Sequence, residues 1–237
     1  MNPEKMFNNS LNAKSRFSKT SRRAPVNSKG KDSHLHTGTT TVAFTCEADD
    51  AVILGTDKRA SMAYFVSSKT AKKLHKIQDH IWMTIAGGVA DAQELIDIIR
   101  AESSLYQMQR EKTILVKSAG KILARILYQN KLTPYQVGLI LGGATEREGP
   151  TILNIGAYGS ILPEKYCAVG SGSQYSFGVL EAKYREDLTI DEGKEIIVKA
   201  IKSSIIRDMA SGNGIEYVVV NKDGLVEQKF IPISESQ

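Results

Sequence analysis

The chain has 237 residues, 41% hydrophobic and 24% charged, which suits a globular protein with one sizeable core. No run approaches the roughly 18 consecutive apolar residues that a membrane-crossing helix needs. The net charge of +5 comes from residues 1–38, which carry +6 from eight basic and two acidic residues; the remainder carries −1 and offers no electrostatic case for binding DNA or RNA.

Residues 1–35 are rich in Asn, Ser and Lys and show no sustained period, which predicts a disordered or weakly ordered tail. Their Arg and Ser content loosely fits a transit peptide, but the amphipathic pattern is poor, and no apolar stretch follows the Arg22–Arg23 pair as an export signal requires. His34 and His36 are spaced for a shared metal, yet two ligands are a weak signal, so they read as incidental and no metal or cofactor is expected.

From Thr39 the pattern changes. "TTTVAFTC" is β-branched and alternating, "EADD" reads as a turn and "AVILGTD" as a second strand, so a hairpin is predicted. "IWMTIAG" is a further strand ending at Gly87 and Gly88. "VADAQELIDIIRAESSLYQMQR" then predicts a long helix with Val89, Leu95, Ile96, Ile99 and Leu105 near one face. "ILVKSAGKILARILYQN" predicts a second helix, with Pro134 ending the region. "QVGLILGG", "TILNIGAYG" and "YCAVGSG" read as strands, and "SQYSFGVLEAKY" as a short helix. In "TIDEGKEIIVKAIKSSIIRDMA" a long helix opens on Thr189, three residues before Glu192, as in a capping box. "IEYVVVNKDG" and a short "QKFIPI" close the chain as strands, joined by a turn at Asp223 and Gly224. Helix pairs interrupting antiparallel strands predict an α+β fold, in one domain, with helices covering stacked sheets. Cys46 and Cys167 both fall in strand-like stretches, which argues against a disulfide framework and for a reducing, cytoplasmic setting.

The common catalytic signatures are missing. Neither cysteine has a base nearby in sequence, and no Gly-x-Ser-x-Gly elbow occurs. "GSGS" at 170–173 only loosely resembles a phosphate loop, and His75 and His80 have no pattern around them. What remains is a cluster of charge, Asp57 and Arg59 in "TDKRAS" with Lys72 and Lys73 in "KKLHKI", close behind a strand that begins with threonines. A threonine hydroxyl paired with an N-terminal amine is one form of activated nucleophile. On spacing alone, a solvated turn and strand rim is the favoured account of that cluster.

Six segments shift the balance: "GTTTVAF", "TDKRAS", "KKLHKI", "MTIAGGVADAQ", "GSGS" and "RDMASGNG". Their order and spacing resemble those of proteasome β subunits, threonine proteases of the N-terminal nucleophile hydrolase class, from Thr39 to the C-terminus. The resemblance implies a four-layer αββα sandwich and a propeptide, residues 1–38, removed by self-cleavage between Gly38 and Thr39 to leave a single domain over 39–237. It implies Thr39 as nucleophile, Asp57 and Lys73 as the acid and base beside it, and Ser171, Asp208 and Ser211 around the threonine amine. Gly87 matches the glycine whose N–H serves the oxyanion, and Arg59 a structural arginine. Ala60, Ala71, Ile85 and Val89 match the pocket for the residue before the scissile bond; with no acid among them, bulky hydrophobic residues are the expected preference. Two departures, Ala43 in place of a glycine and a first hairpin lengthened by "EADD", touch no catalytic position. The implied partners are other β subunits in a seven-membered ring, α-subunit rings, a regulatory ATPase acting through them, and unfolded polypeptide substrates. A non-catalytic β subunit of the same particle is the alternative, and the presence of Gly38, Thr39, Asp57 and Lys73 together argues against it.

Overall fold

The computed structural model describes residues 38–62 and 64–233, so the expectations for the basic tail, including His34 and His36, lie outside the described residues. Strand β1 (Thr40–Cys46) is buried along its whole length, as is β2 (Ala51–Asp57), with which it forms the predicted hairpin. A strand buried on both faces must lie in a middle layer, and the partners of each face show that it does. Val42, Phe44 and Cys46 of β1 belong to one core, while Ala43 belongs to another. "EADD" forms a short 3-10 turn that ends with Asp50 in the left-handed region, at φ 47°.

The remaining strands are β3 (Ala60–Met62), β4 (Phe65–Ser68), β5 (Leu74–Gln78), β6 (Ile81–Gly87), β7 (Val137–Thr145), β8 (Gly149–Ile155), β9 (Ile161–Glu164), β10 (Tyr166–Gly170), β11 (Ile215–Asn221) and β12 (Gly224–Ile231). They build two five-stranded antiparallel sheets, ordered β10-β1-β2-β11-β12 and β5-β6-β7-β8-β9, beside a small β3-β4 hairpin. Helices α1 (Val89–Arg110) and α2 (Val116–Gln129) pack Leu95, Ile99, Leu123 and Leu127 on Met83, Leu139 and Leu153 of the second sheet. Helices α3 (Ser173–Lys183) and α4 (Ile190–Arg207) pack Leu180, Ile197 and Ile201 on Val42, Ile53 and Val219 of the first. Between the sheets, Val52 and Leu54 meet Trp82, Ile140 and Ile152. Two helix layers and two sheet layers with three apolar interfaces make the expected αββα sandwich.

Several local readings are corrected. In α1 the buried side chains are Ala92, Leu95, Ile96, Ile99 and Ser103; Val89 and Leu105 are 51% and 45% exposed. Leu105 is out of phase with Ile99, and Tyr106, one residue on, packs against the core instead. Val89 is in phase but stands at the open start of the helix. Helix α2 starts at Val116, two residues later than read, and closes on its cap Asn130, whose side chain donates to the Ile126 carbonyl at 2.8 Å, as the sequence predicts. In the last hairpin Asn221 pairs with Gly224, so Lys222 and Asp223 form the loop, and Gly224, at φ 118°, begins an eight-residue strand. The strand lies at a sheet edge and carries exposed polar residues in place of an apolar alternation, so only its C-terminal part reads as a strand in the sequence. Strands β3, β4, β5 and β9, of three to five residues with mostly half-exposed or exposed side chains, are additions to the predicted elements.

The capping box at Thr189 is formed, with the side chain accepting from the Glu192 N–H and Glu192 accepting from Thr189 N. Thr189→Ala removes that bond from the helix that backs the first sheet. It is expected to lower the unfolding free energy by about 1 kcal/mol, read from urea denaturation.

Candidate active site

The first sheet gathers the site at one of its ends. Thr40 of β1 pairs with Gly170 of β10, Thr41 with Thr56 of β2, and Ile215 of β11 with Asp57. The start of β1, the end of β2, the end of β10 and the start of β11 therefore share one edge, with Thr39, Asp57 and Ser171 on it. Lys73 directly precedes β5 of the second sheet, where its carbonyl accepts from the Ile85 N–H at 3.0 Å.

Asp57 has no exposed surface and accepts from donors on both carboxylate oxygens. Oδ1 takes Lys73 Nζ at 2.6 Å and the Thr40 N–H at 2.9 Å; Oδ2 takes the N–H groups of Arg59 and Gly212, each at 3.0 Å. A buried carboxylate is tolerable only when paired in this way. Burial pushes the Lys73 ammonium below its ordinary pKa, against the opposing pull of Asp57. Arg59 adds a clamp, with Nε donating to Asn213 Oδ1 at 2.8 Å and Nη1 to the Met209 carbonyl at 2.9 Å. That clamp shapes the loop after α4, where Asn213 sits in the left-handed region at φ 65°.

A second network forms around Asp208, the cap residue of α4. Ser171 Oγ and Ser211 Oγ each donate to Asp208 Oδ2 at 2.6 Å. Each hydroxyl has one proton, so the remaining directions follow. Thr40 Oγ1, 2.7 Å from Ser211 Oγ, is the donor in that contact. The Thr39 N–H donates to Ser171 Oγ at 3.2 Å. Two chains of donors thus converge on one carboxylate, from Thr39 through Ser171 and from Thr40 through Ser211.

Thr39 itself is buried, and its Oγ1 donates to the carbonyl oxygen of Gly38 at 2.6 Å. Gly38 is packed so tightly that a Cβ added there would stand 1.8 Å from Ala210 Cβ and 2.7 Å from Ser61 Oγ. The glycine is required by close approach to the loop between Asp208 and Ser211. The arrangement sets a hydroxyl against a peptide carbonyl, beside one ion pair and one hydroxyl-bridged acid. Such a set suits acyl transfer.

A family model described as "Proteasome subunit" matches residues 35–220. The chain belongs to the proteasome subunit family. It is 46% identical over 189 residues to a proteasome subunit beta of Methanocaldococcus fervens, covering 79% of this chain and 84% of that one. It is 45% identical over 194 residues to a proteasome subunit beta of Methanohalophilus mahii, covering 81% and 90%. It is 41% identical over 190 residues to a proteasome subunit beta 2 of Nitrosopumilus maritimus, covering 80% and 89%.

In this proteasome subunit, Thr39, Ser171, Asp208 and Ser211 lie in one hydrogen-bonded network, and Asp57 and Lys73 in a pair linked to it through Thr40. Gly87 ends β6 opposite Val137 at φ 104°, and a Cβ there would stand 2.2 Å from the Gln136 carbonyl oxygen. The four expected pocket residues are more scattered. Ala60 begins β3, Ala71 donates its N–H to the Lys58 carbonyl at 3.0 Å, and Val89 begins α1 half-exposed. Ile85 is packed in the core between the second sheet and its helices. Thr40, expected to be only a strand residue, also joins the two acids; its place in a run of three threonines hid the difference. In the "GSGS" segment Ser171 donates to the Asp208 carboxylate. His80 is a core residue bonded to the Ile114 carbonyl at 2.9 Å.

Asp57→Asn cannot satisfy this site, because either orientation of the amide turns its NH2 toward two donors. The substitution is expected to cost about 3–5 kcal/mol in denaturant unfolding of the full-length chain. His75 on β5 supplies a pH test: burial pushes its imidazole down to about 4, although the Lys72 carbonyl pulls the other way. The unfolded chain takes up that proton near pH ~6.5, so stability is lost as pH falls from there toward about 4. Comparing unfolding midpoints across that window, His75→Gln is expected to flatten the loss.

Proposed function

We propose that this chain is a catalytic β subunit of the proteasome core particle, a threonine endopeptidase that activates itself by cutting between Gly38 and Thr39. The observation that carries this is the Thr39 hydroxyl, held 2.6 Å from the Gly38 carbonyl oxygen within the two acid networks. In self-cleavage, Thr39 Oγ1 attacks the Gly38 carbonyl carbon and the peptide C–N bond breaks as its nitrogen gains a proton. An ester forms between Gly38 and the Thr39 side chain. Water hydrolyses it, releasing residues 1–38 with a Gly38 carboxylate and leaving the hydroxyl beside a free α-amine.

That amine has a pKa near ~8 and can take the hydroxyl proton directly or through one water. Thr39 Oγ1 then attacks a substrate carbonyl, and the Gly87 N–H stabilises the oxyanion, a role worth about 2.7–4 kcal/mol per donor in comparable sites. The amine returns its proton to the leaving nitrogen, and water resolves the acyl ester. Lys73 supplies positive charge beside the hydroxyl and Asp57 holds it aimed. Ser171, Asp208 and Ser211 hold the amine in place, and the β-methyl of Thr39 restricts its rotamers.

Ala60, Ala71 and Val89 bring no acid to the pocket they would line, which supports a preference for bulky hydrophobic residues over basic ones; Ile85, packed in the core, does not reach it. Family membership supports assembly with other β subunits into seven-membered rings flanked by α rings, fed with unfolded polypeptide by an ATPase in the cytoplasm. Intact mass after co-expression with α subunits tests the reading. Loss of residues 1–38 is expected for the wild type, and the full length for Thr39→Ala and Gly38→Val. A processed Thr39→Ala chain would refute self-cleavage. An unprocessed wild type that hydrolyses no peptide would make the chain a structural subunit. Faster cleavage after arginine than after leucine or tyrosine in fluorogenic peptides would overturn the pocket assignment.

A further inference from the structure

Behind the site, two buried serines join the helices of the first sheet. Ser176 on α3 and Ser204 on α4 have no exposed surface, and their hydroxyl oxygens are 2.8 Å apart. Ser204 Oγ is also 2.7 Å from the Gly172 carbonyl oxygen and 3.5 Å from that of Ala200, while Ser176 Oγ is 3.1 Å from the Ala200 carbonyl. Ser204 has one proton, and its shortest acceptor is Gly172. The Ser176 proton then goes to Ser204 Oγ or to Ala200, and neither choice disturbs the bond to Gly172.

Gly172 follows Ser171 directly and caps α3. Its N–H donates to the Thr39 carbonyl at 3.4 Å. A Cβ at Gly172 would stand 2.0 Å from Thr40 Oγ1 and 3.2 Å from Asp208 Oδ2, so this backbone is wedged between the nucleophile strand and the acid. The other side is fixed to the same turn of α4 by the helix's last backbone bond, the Asp208 N–H donating to the Ser204 carbonyl at 2.7 Å, so the side-chain bond to Gly172 is what couples the two. One residue therefore holds both the loop that carries Ser171 and the helix end that carries Asp208, whose mutual hydrogen bond is 2.6 Å.

We propose that Ser204 is a positioning residue for the proteolytic site, setting the spacing between Ser171 and Asp208 through Gly172. This rests on the catalytic reading above. Ser176 provides a matched control: it is the same residue type, equally buried, in the same helix pair, and not needed for the bond to Gly172. In the assembled particle, Ser204→Ala is expected to lower kcat about ten-fold with KM within about two-fold, since small misplacements of a preorganised site act on turnover. Ser176→Ala is expected to stay near the wild type. Amide exchange read by mass spectrometry should rise in peptides covering 170–173 and 208–212 for Ser204→Ala and stay unchanged there for Ser176→Ala.

Equal effects of the two alanine variants on kcat and on exchange would mean that the pair only fills and satisfies the helix interface, and would overturn the proposal. Should Ser204→Ala not fold, Ser204→Cys keeps the branching of the side chain with a larger, weaker donor; it is expected to fall between alanine and wild type, and wild-type turnover and exchange would refute the role. A wild-type particle with no peptidase activity would instead sink the catalytic reading, and the exchange comparison alone would then decide the positioning claim.

Discussion

A carboxylate with no access to water must be satisfied by the protein, and Asp57 imposes that demand on the whole active end of the sandwich. Its four donors come from four places: the first residue of β1, the residue before β5, the exit of β2 and the loop after α4. Each must be brought to within a hydrogen bond of the same group. The constraint therefore links both sheets and fixes where the chain enters β1. Thr39 is placed by this requirement, because it directly precedes the donor Thr40.

The second acid is treated differently. Asp208 is only partly buried and is satisfied by hydroxyls and backbone, with Ser171 and Ser211 on one oxygen and the Ala210 N–H on the other at 3.1 Å. Around Asp57 a cation is desolvated and held; around Asp208 neutral donors are ordered in direction. The two environments meet at Thr40, whose N–H serves the first acid and whose hydroxyl serves the second. A buried ion pair and a hydroxyl chain a few ångströms apart give one short segment both charge and orientation, which acyl transfer needs.

Layering makes such precision possible. Three apolar interfaces hold two sheets and two helix pairs, so strand ends at one edge have little freedom. The polar groups lie where the strands stop, with the cores behind them. On the helix side the same rigidity reaches the site through Ser204, which sits one turn before Asp208 on α4. Gly38 shows how little slack remains, since the loop carrying Ala210 leaves no room for a side chain there.

The layer architecture was legible in the sequence, and so were the residues that the structure gathers at one end of the first sheet. Strand alternation, helix period and the Thr189 cap are local properties, written in neighbouring residues, and six short segments in a fixed order were enough to single out Thr39, Asp57, Lys73, Ser171, Asp208 and Ser211. The phase error at Leu105 and the overlooked short strands mark where local signal was thin. Only the tertiary structure decided how the parts are joined: that Thr40 bridges the acids, that Gly38 is required by Ala210, and that Ser204 reaches Gly172. These contacts span 17 to 172 residues of chain, and Ser, Thr and Ala look alike in sequence whether they face a neighbour or water. Hydrogen-bond direction depends on which single acceptor each proton finds, and that becomes definite only when the sheets and helices have closed around it.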